Sequence, residues 1–146
     1  MPKEKQATIL LVEDDPLIVR LYKFAFEHSG YQVEIAFTGE EGLAKLRAMT
    51  EKPVLILSDV MMPKMNGLDL LKKIKEDPKI KNIPLILLTN LDRNEDIDTG
   101  LKLGAITYLV KSNYEPREIV EKVKELLAGY NRGSVPEVKT VVKEGM

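Results

Sequence analysis

The chain contains no cysteine, which excludes a disulfide framework, a zinc–thiolate centre and thiol redox chemistry, and fits a cytoplasmic setting. It also lacks any long apolar run. The longest, such as residues 54–57 and 85–88, are far too short to cross a bilayer or to serve as the core of a secretory leader. No basic surplus exists either: the net charge is −1, so nucleic acid is not an expected direct partner, because binding a phosphate backbone needs clustered positive charge. Histidine occurs once, as His28, which leaves no triad of the Ser–His–Asp kind to build. Internal repeats and low-complexity tracts are absent as well.

What is present suits one globular domain. A chain of 146 residues with 44% hydrophobic and 31% charged residues can bury a full core, and its composition excludes disorder as the default. Short β-branched or leucine-rich runs alternate with segments of helical period, the pattern of βαβ units around a parallel sheet. The runs predict strands over 9–13, 32–36, 54–58, 85–89 and 107–110. Three are almost wholly apolar, as inner strands covered on both faces should be, whereas Glu34 between Val33 and Ile35 marks the second as an edge.

The helices fill the gaps. Pro16 opens the first, Gly30 closes it, and Leu17, Leu21, Phe24 and Ala25 form its expected apolar stripe. Thr38, with Glu41 three positions on, predicts a capped start for the second. The third is expected over 67–76 before Asp77-Pro78, the fourth over 93–103 before Gly104, and the fifth from Pro116 to Gly129. The expected organisation is an α/β domain over residues 1–129, with 130–146 as linker and tail. Asn131 to Pro136 has linker composition, and the end is either a loose terminus or a short partner-binding segment.

In an open parallel sheet, ligands bind where the loops leave the carboxyl ends of the strands. Those ends carry Glu13-Asp14-Asp15, Asp59, Thr89-Asn90 and Lys111-Ser112. Several carboxylates therefore converge beside one ammonium and one hydroxyl, and like charges so close require raised pKa values or a cation. All-oxygen ligands suit Mg²⁺ or Mn²⁺ and disfavour zinc, and Mg²⁺ commonly shares its shell with a phosphate oxygen. Asp59 is the best nucleophile because it ends the central strand and precedes the irregular loop from Val60 to Gly67. Lys111 and Thr89 are positioned to neutralise and hydrogen-bond a transferring phosphoryl group. Asp15 is read as a helix cap, His28 as a complement to the helix dipole, and Met61, Met62 and Met65 as loop packing.

Four motifs in order (Ile9-Leu10-Leu11-Val12-Glu13-Asp14-Asp15-Pro16, Asp59-Val60-Met61-Met62-Pro63 with Gly67, Leu87-Leu88-Thr89, and Tyr108-Leu109-Val110-Lys111) resemble the receiver domain of two-component response regulators over about residues 8–129. The resemblance implies a flavodoxin-like (βα)5 three-layer sandwich with strand order 2-1-3-4-5. It implies that Glu13, Asp14, Asp59 and the Met61 carbonyl hold the metal, and that Asp59 receives the phosphoryl group. The donor would be a sensor histidine kinase or a histidine phosphotransfer protein. Thr89 and Tyr108 match switch residues that remodel the face made by helix four, strand five and helix five. A downstream protein, or a second activated copy, binds that face in the family.

Two departures stand out. Ser112 replaces the proline that usually follows the lysine, and Asn90 replaces the usual small residue after the threonine. They keep open a receiver-like module that binds partners without phosphorylation. A flavodoxin-like cofactor enzyme is less well matched, since its phosphate-cradling loop would here be the acidic, glycine-free Glu13-Asp14-Asp15-Pro16. A haloacid-dehalogenase-like phosphatase would need a second Asp two positions after the nucleophile, where this chain has Pro16 or Met61.

Overall fold

A computed structural model describes residues 6–90 and 94–131. The predicted start of the fourth helix at Arg93 and the tail 132–146 lie outside the described residues. Elements follow in the order β1 (Thr8–Val12), α1 (Pro16–His28), β2 (Gln32–Ala36), α2 (Gly39–Ala48), β3 (Leu55–Asp59), α3 (Gly67–Lys75), β4 (Leu85–Thr89), α4 (Asn94–Leu103), β5 (Thr107–Val110) and α5 (Pro116–Asn131). A 3-10 turn, Lys111–Asn113, joins β5 to α5. The five strands are parallel, in the order β2-β1-β3-β4-β5.

Period-two alternation divides the core into two layers. Leu10, Val12, Ile56, Leu85 and Leu87 face α2, α3 and α4 through Leu43, Leu46, Leu70, Leu71, Ile74 and Ile97. Ile9, Leu11, Leu55, Leu57, Ile86 and Leu88 face α1 and α5 through Val19, Tyr22, Phe26, Ile119, Val120 and Val123. Strands buried on both sides have no solvent face to alternate toward, hence their unbroken apolar sequences.

Local chemistry sets the helix ends. The Asp15 side chain accepts from the Leu17 N–H at 2.9 Å and caps α1. Thr38 Oγ1 accepts from Glu41 N–H at 3.0 Å, but the Glu41 carboxylate reaches past Thr38 to the Phe37 N–H at 2.7 Å. Asn66 and Asp69 form a reciprocal capping box at α3. Gly30 and Gly104 follow their helices with φ of 96° and 111°, a conformation that glycine adopts without a Cβ clash.

Several expectations need correction. The first strand runs over Thr8–Val12, one residue earlier than expected, so Glu13 lies just beyond it. Leu17, Leu21 and Phe24 are not the buried stripe of α1: they are 60%, 42% and 71% exposed, while Val19, Tyr22 and Phe26 face the sheet. The third strand is displaced by one residue and includes Asp59, because Asp59 pairs with Leu88 of β4. Helix α5 continues through Gly129, which is buried, to Asn131.

At the outer edge, β2 pairs only with β1 among the described residues. Gln32 donates toward β1 and Ala36 accepts from Glu13, so the two-residue period turns the Ile35 carbonyl off the edge. Lys45 of α2 donates to that carbonyl and also lies 3.7 Å from Glu34 and 3.9 Å from Glu41.

Candidate functional site

At the carboxyl end of the sheet, three inner strands and the edge strand β5 deliver polar groups into one pocket. Glu13 directly follows β1, where its N–H bonds to the Ala36 carbonyl at 3.0 Å. Asp59 is the last residue of β3, Thr89 the last of β4, and Lys111 the first after β5. All four are buried, with Glu13 1% exposed. Asp14 sits at the exposed rim.

The groups meet. Lys111 Nζ donates to Glu13 Oε1 at 2.7 Å and lies 3.4 Å from Asp59 Oδ2. Glu13 Oε2 accepts from the Asp15 N–H at 3.1 Å, and Asp59 Oδ1 accepts a long bond from the Met61 N–H at 3.4 Å. One carboxylate oxygen from each of Glu13, Asp14 and Asp59 lies within 4.8 Å of the others.

Three carboxylates against one ammonium leave the pocket short of positive charge. Burial pushes the Glu13 carboxyl up to about 7 against the pull of Lys111, and the nearby Asp59 charge adds to the rise. Burial likewise raises the Asp59 carboxyl, with Lys111 again opposing. Tyr22, buried on the sheet-facing side of α1, is raised by burial and then by the charges of Glu13 and Asp59. Such a pocket is relieved by protons or by a cation. The donor set is all oxygen and compact, which fits a hard divalent ion such as Mg²⁺ or Mn²⁺ and not zinc.

Other predicted positions fall as follows. Tyr108 is buried on the same sheet face as Thr89, with Leu87 opposite Tyr108 and Val110 opposite Thr89 in the β4–β5 register. The Met61 side chain is 48% exposed, so it does not pack the loop; Met62 is buried, and Met65 packs against the core. Asn90 and Ser112 are exposed. No peptide bond among the described residues is cis, and Lys111–Asn113 forms a 3-10 turn where the family has a proline.

The sequence did not reveal the contribution of Tyr22, nor the close approach made by Gly67, a residue it places in the Asp59 motif. Tyr22 lies on the buried face of α1, and only its polar tip among apolar neighbours could have drawn notice. Gly67 approaches β3 so closely that a Cβ there would lie 2.2 Å from the Asp59 carbonyl oxygen. The glycine thus lets α3 start directly behind the acid.

The family model for the response regulator receiver domain matches residues 9–124. The chain belongs to the response regulator receiver family. This receiver is 42% identical over 119 residues to the alkaline phosphatase synthesis transcriptional regulatory protein PhoP of Bacillus subtilis, covering 82% of the chain and 48% of that protein. It therefore spans about half the length of that relative. It is 38% identical over 120 residues to the chemotaxis protein CheY1 of Helicobacter pylori, covering 82% of the chain and 95% of that protein. Among solved structures, a CheY-like receiver domain protein from Methanospirillum hungatei superposes with a TM-score of 0.78 at 35% identity, over 89% of this receiver and all of the other chain. The expected fold, with its 2-1-3-4-5 sheet, is the one observed. No helix among the described residues is long and apolar enough to cross a membrane.

Proposed function

We propose that Asp59 is a phosphoryl acceptor, charged by a phosphohistidine on a sensor histidine kinase or histidine phosphotransfer protein in the cytoplasm. The observation carrying this reading is the Asp59 carboxylate at the end of a buried strand, 3.4 Å from the Lys111 ammonium and clustered with Glu13 and Asp14. In the transfer, an Asp59 oxygen bonds to phosphorus, the phosphorus–imidazole bond breaks, and the imidazole nitrogen keeps the electron pair and is reprotonated from solvent.

Glu13, Asp14 and Asp59, with the Met61 carbonyl, would hold Mg²⁺ or Mn²⁺. When bound, that ion offsets negative charge on the non-bridging phosphoryl oxygens. Lys111, 3.4 Å from Asp59, would supply a fixed positive charge beside the acceptor, and Thr89 would offer a hydroxyl to a phosphoryl oxygen. Tyr108, on the same sheet face as Thr89, carries the rearrangement toward α4, β5 and α5, where a downstream protein or a second copy binds. The chain acts as a signalling domain and not as an enzyme on external substrates. Residues 1–129 would form the receiver and 130–146 its linker and tail.

Incubation with acetyl phosphate and Mg²⁺ should add the mass of one phosphoryl group, and Asp59→Asn should abolish the addition. An unmodified wild-type chain, or equal labelling of Asp59→Asn, would remove the basis for the reading.

A further inference from the structure

Helix α2 touches the loop that follows the acceptor, and it does so through a glycine. Gly39 is the first residue of α2, and Met65 lies in the loop 60–66 that joins β3 to α3. A Cβ on Gly39 would lie 2.6 Å from the Met65 carbonyl oxygen and 2.8 Å from Met65 Cγ. Neither separation is open to a residue with a side chain, so only glycine lets the start of α2 rest on this loop.

The helix is tied down where it makes this contact. Its first turn is capped by Thr38 Oγ1, which accepts from the Glu41 N–H at 3.0 Å, and the Thr38 carbonyl accepts from the Gly42 N–H at 3.0 Å. Gly42 lies so close to β1 that a Cβ there would meet Val12 Cγ2 at 3.0 Å. Lys45 grips the Ile35 carbonyl of β2, and Leu43 and Leu46 are buried in the core.

The loop has little slack of its own. The Val60 N–H donates to the Leu88 carbonyl at 2.8 Å, and the Gly67 N–H closes back on the Val60 carbonyl at 2.9 Å, so the loop leaves and returns at one point. Met62 anchors it in the core. Lys64 takes a φ of 64°, a left-handed conformation that is uncommon for a residue with a Cβ and is held by its surroundings. Between these fixed points the Met61 N–H reaches Asp59 Oδ1 at 3.4 Å, the outer limit of a hydrogen bond. A small displacement of the loop therefore changes how Met61 stands to the acid.

We propose that Gly39 is a positioning residue for the metal shell: by letting α2 rest directly on Met65, it sets the height of the β3–α3 loop and so holds the Met61 carbonyl where the ion needs it. This rests on the metal-holding role proposed for Met61 and extends it to a residue that touches neither the ion nor the phosphoryl group. A side chain at position 39 pushes the loop, because the helix is fixed to β1, β2 and the core.

Calorimetric titration of the full chain with Mg²⁺ tests this without a phosphoryl donor. Gly39→Ala should raise the Kd for Mg²⁺ about tenfold, the usual loss when a group supporting a metal ligand is displaced. Leu46→Ala is the comparison, since it truncates a fully buried side chain about two turns further along α2. It should lose at least as much stability in urea yet bind Mg²⁺ as the wild type does. Should Gly39→Ala not fold, Met65→Ala loosens the same contact from the loop side and should raise the Kd severalfold; an unchanged Kd there overturns the proposal. Equal weakening in Gly39→Ala and Leu46→Ala also overturns it, because the glycine would then serve the fold alone. A wild type that binds Mg²⁺ beside a Gly39→Ala that binds equally well removes this inference and leaves the metal reading standing. A wild type that takes up no Mg²⁺ removes both.

Discussion

Glu13 and Lys111 are 98 positions apart in the chain, yet their side chains meet at 2.7 Å inside the pocket. The lysine also lies 3.4 Å from Asp59, so one ammonium serves two buried carboxylates. Neither acid is fully compensated, and charge held in this way for function works against the stability of the fold.

Removing one acid should therefore stabilise the metal-free chain. Asp59→Asn is expected to raise Tm in EDTA by a few degrees, the shift of about 1 kcal/mol for a domain of this size. Added Mg²⁺ should narrow the gap, since the wild type alone keeps the complete acidic cluster. A lower Tm for Asp59→Asn in EDTA would contradict the charge argument.

The pH dependence has a definite sign. Glu13 rises from 4.5 in the unfolded chain to about 7 when folded, and Asp59 moves the same way. Between these values the folded state holds more protons than the unfolded state, so stability falls as pH rises from about 4.5 through about 7. Thermal melts in EDTA should give a higher Tm near the lower end of that window than above it. Glu13→Gln should flatten the profile; a profile as steep as that of the wild type would exclude Glu13 as its source.

Gly67→Ala places a methyl group 2.2 Å from the Asp59 carbonyl oxygen and 2.9 Å from the Val60 Cα. Backbone must move on one side or the other, at a cost of about 1–3 kcal/mol. Urea denaturation should show that loss, together with slower phosphoryl uptake as the loop shifts. A variant with unchanged midpoint would mean that the loop yields freely.

On α1, truncating the two aromatic side chains should separate the buried line from the exposed one. Phe26→Ala opens a cavity at a fully buried position and should cost about 3–5 kcal/mol. Phe24→Ala, at a position 71% exposed, should cost a small fraction of that. Similar losses in the two variants would refute the assignment of faces.

Asn90 follows Thr89 and is exposed. A side chain of this size after the threonine is expected to slow access to Asp59, so Asn90→Ala should speed phosphoryl transfer or hydrolysis severalfold, read as the rate of phosphoryl gain and loss by mass spectrometry. Unchanged rates would remove the steric role.

Much of this was legible in the sequence, for physical reasons that can be stated. The inner strands announced themselves because burial on both faces forbids polar residues, and Glu13, Asp59, Thr89 and Lys111 were found because parallel topology sends strand ends to one place. The face of α1 was not legible. Leu17, Leu21 and Phe24 repeat as regularly as Val19, Tyr22 and Phe26, so period alone cannot choose between two apolar lines, and only packing against α5 and the sheet decides. Asp59 was placed just beyond β3 because a carboxylate ends an apolar run, yet its backbone still has Leu88 to pair with. The tight approach of Gly67 depends on tertiary contact and leaves no local trace beyond the glycine itself.

The Lys45 ammonium on the outward carbonyl of Ile35 bears on how this receiver can meet other chains. A bare edge invites a foreign strand to extend the sheet, and a lysine bound across it, with Glu34 beside it, blocks that kind of addition. Traffic with other molecules is thereby steered to helices and loops, where a contact can be made and undone without threatening the sheet itself.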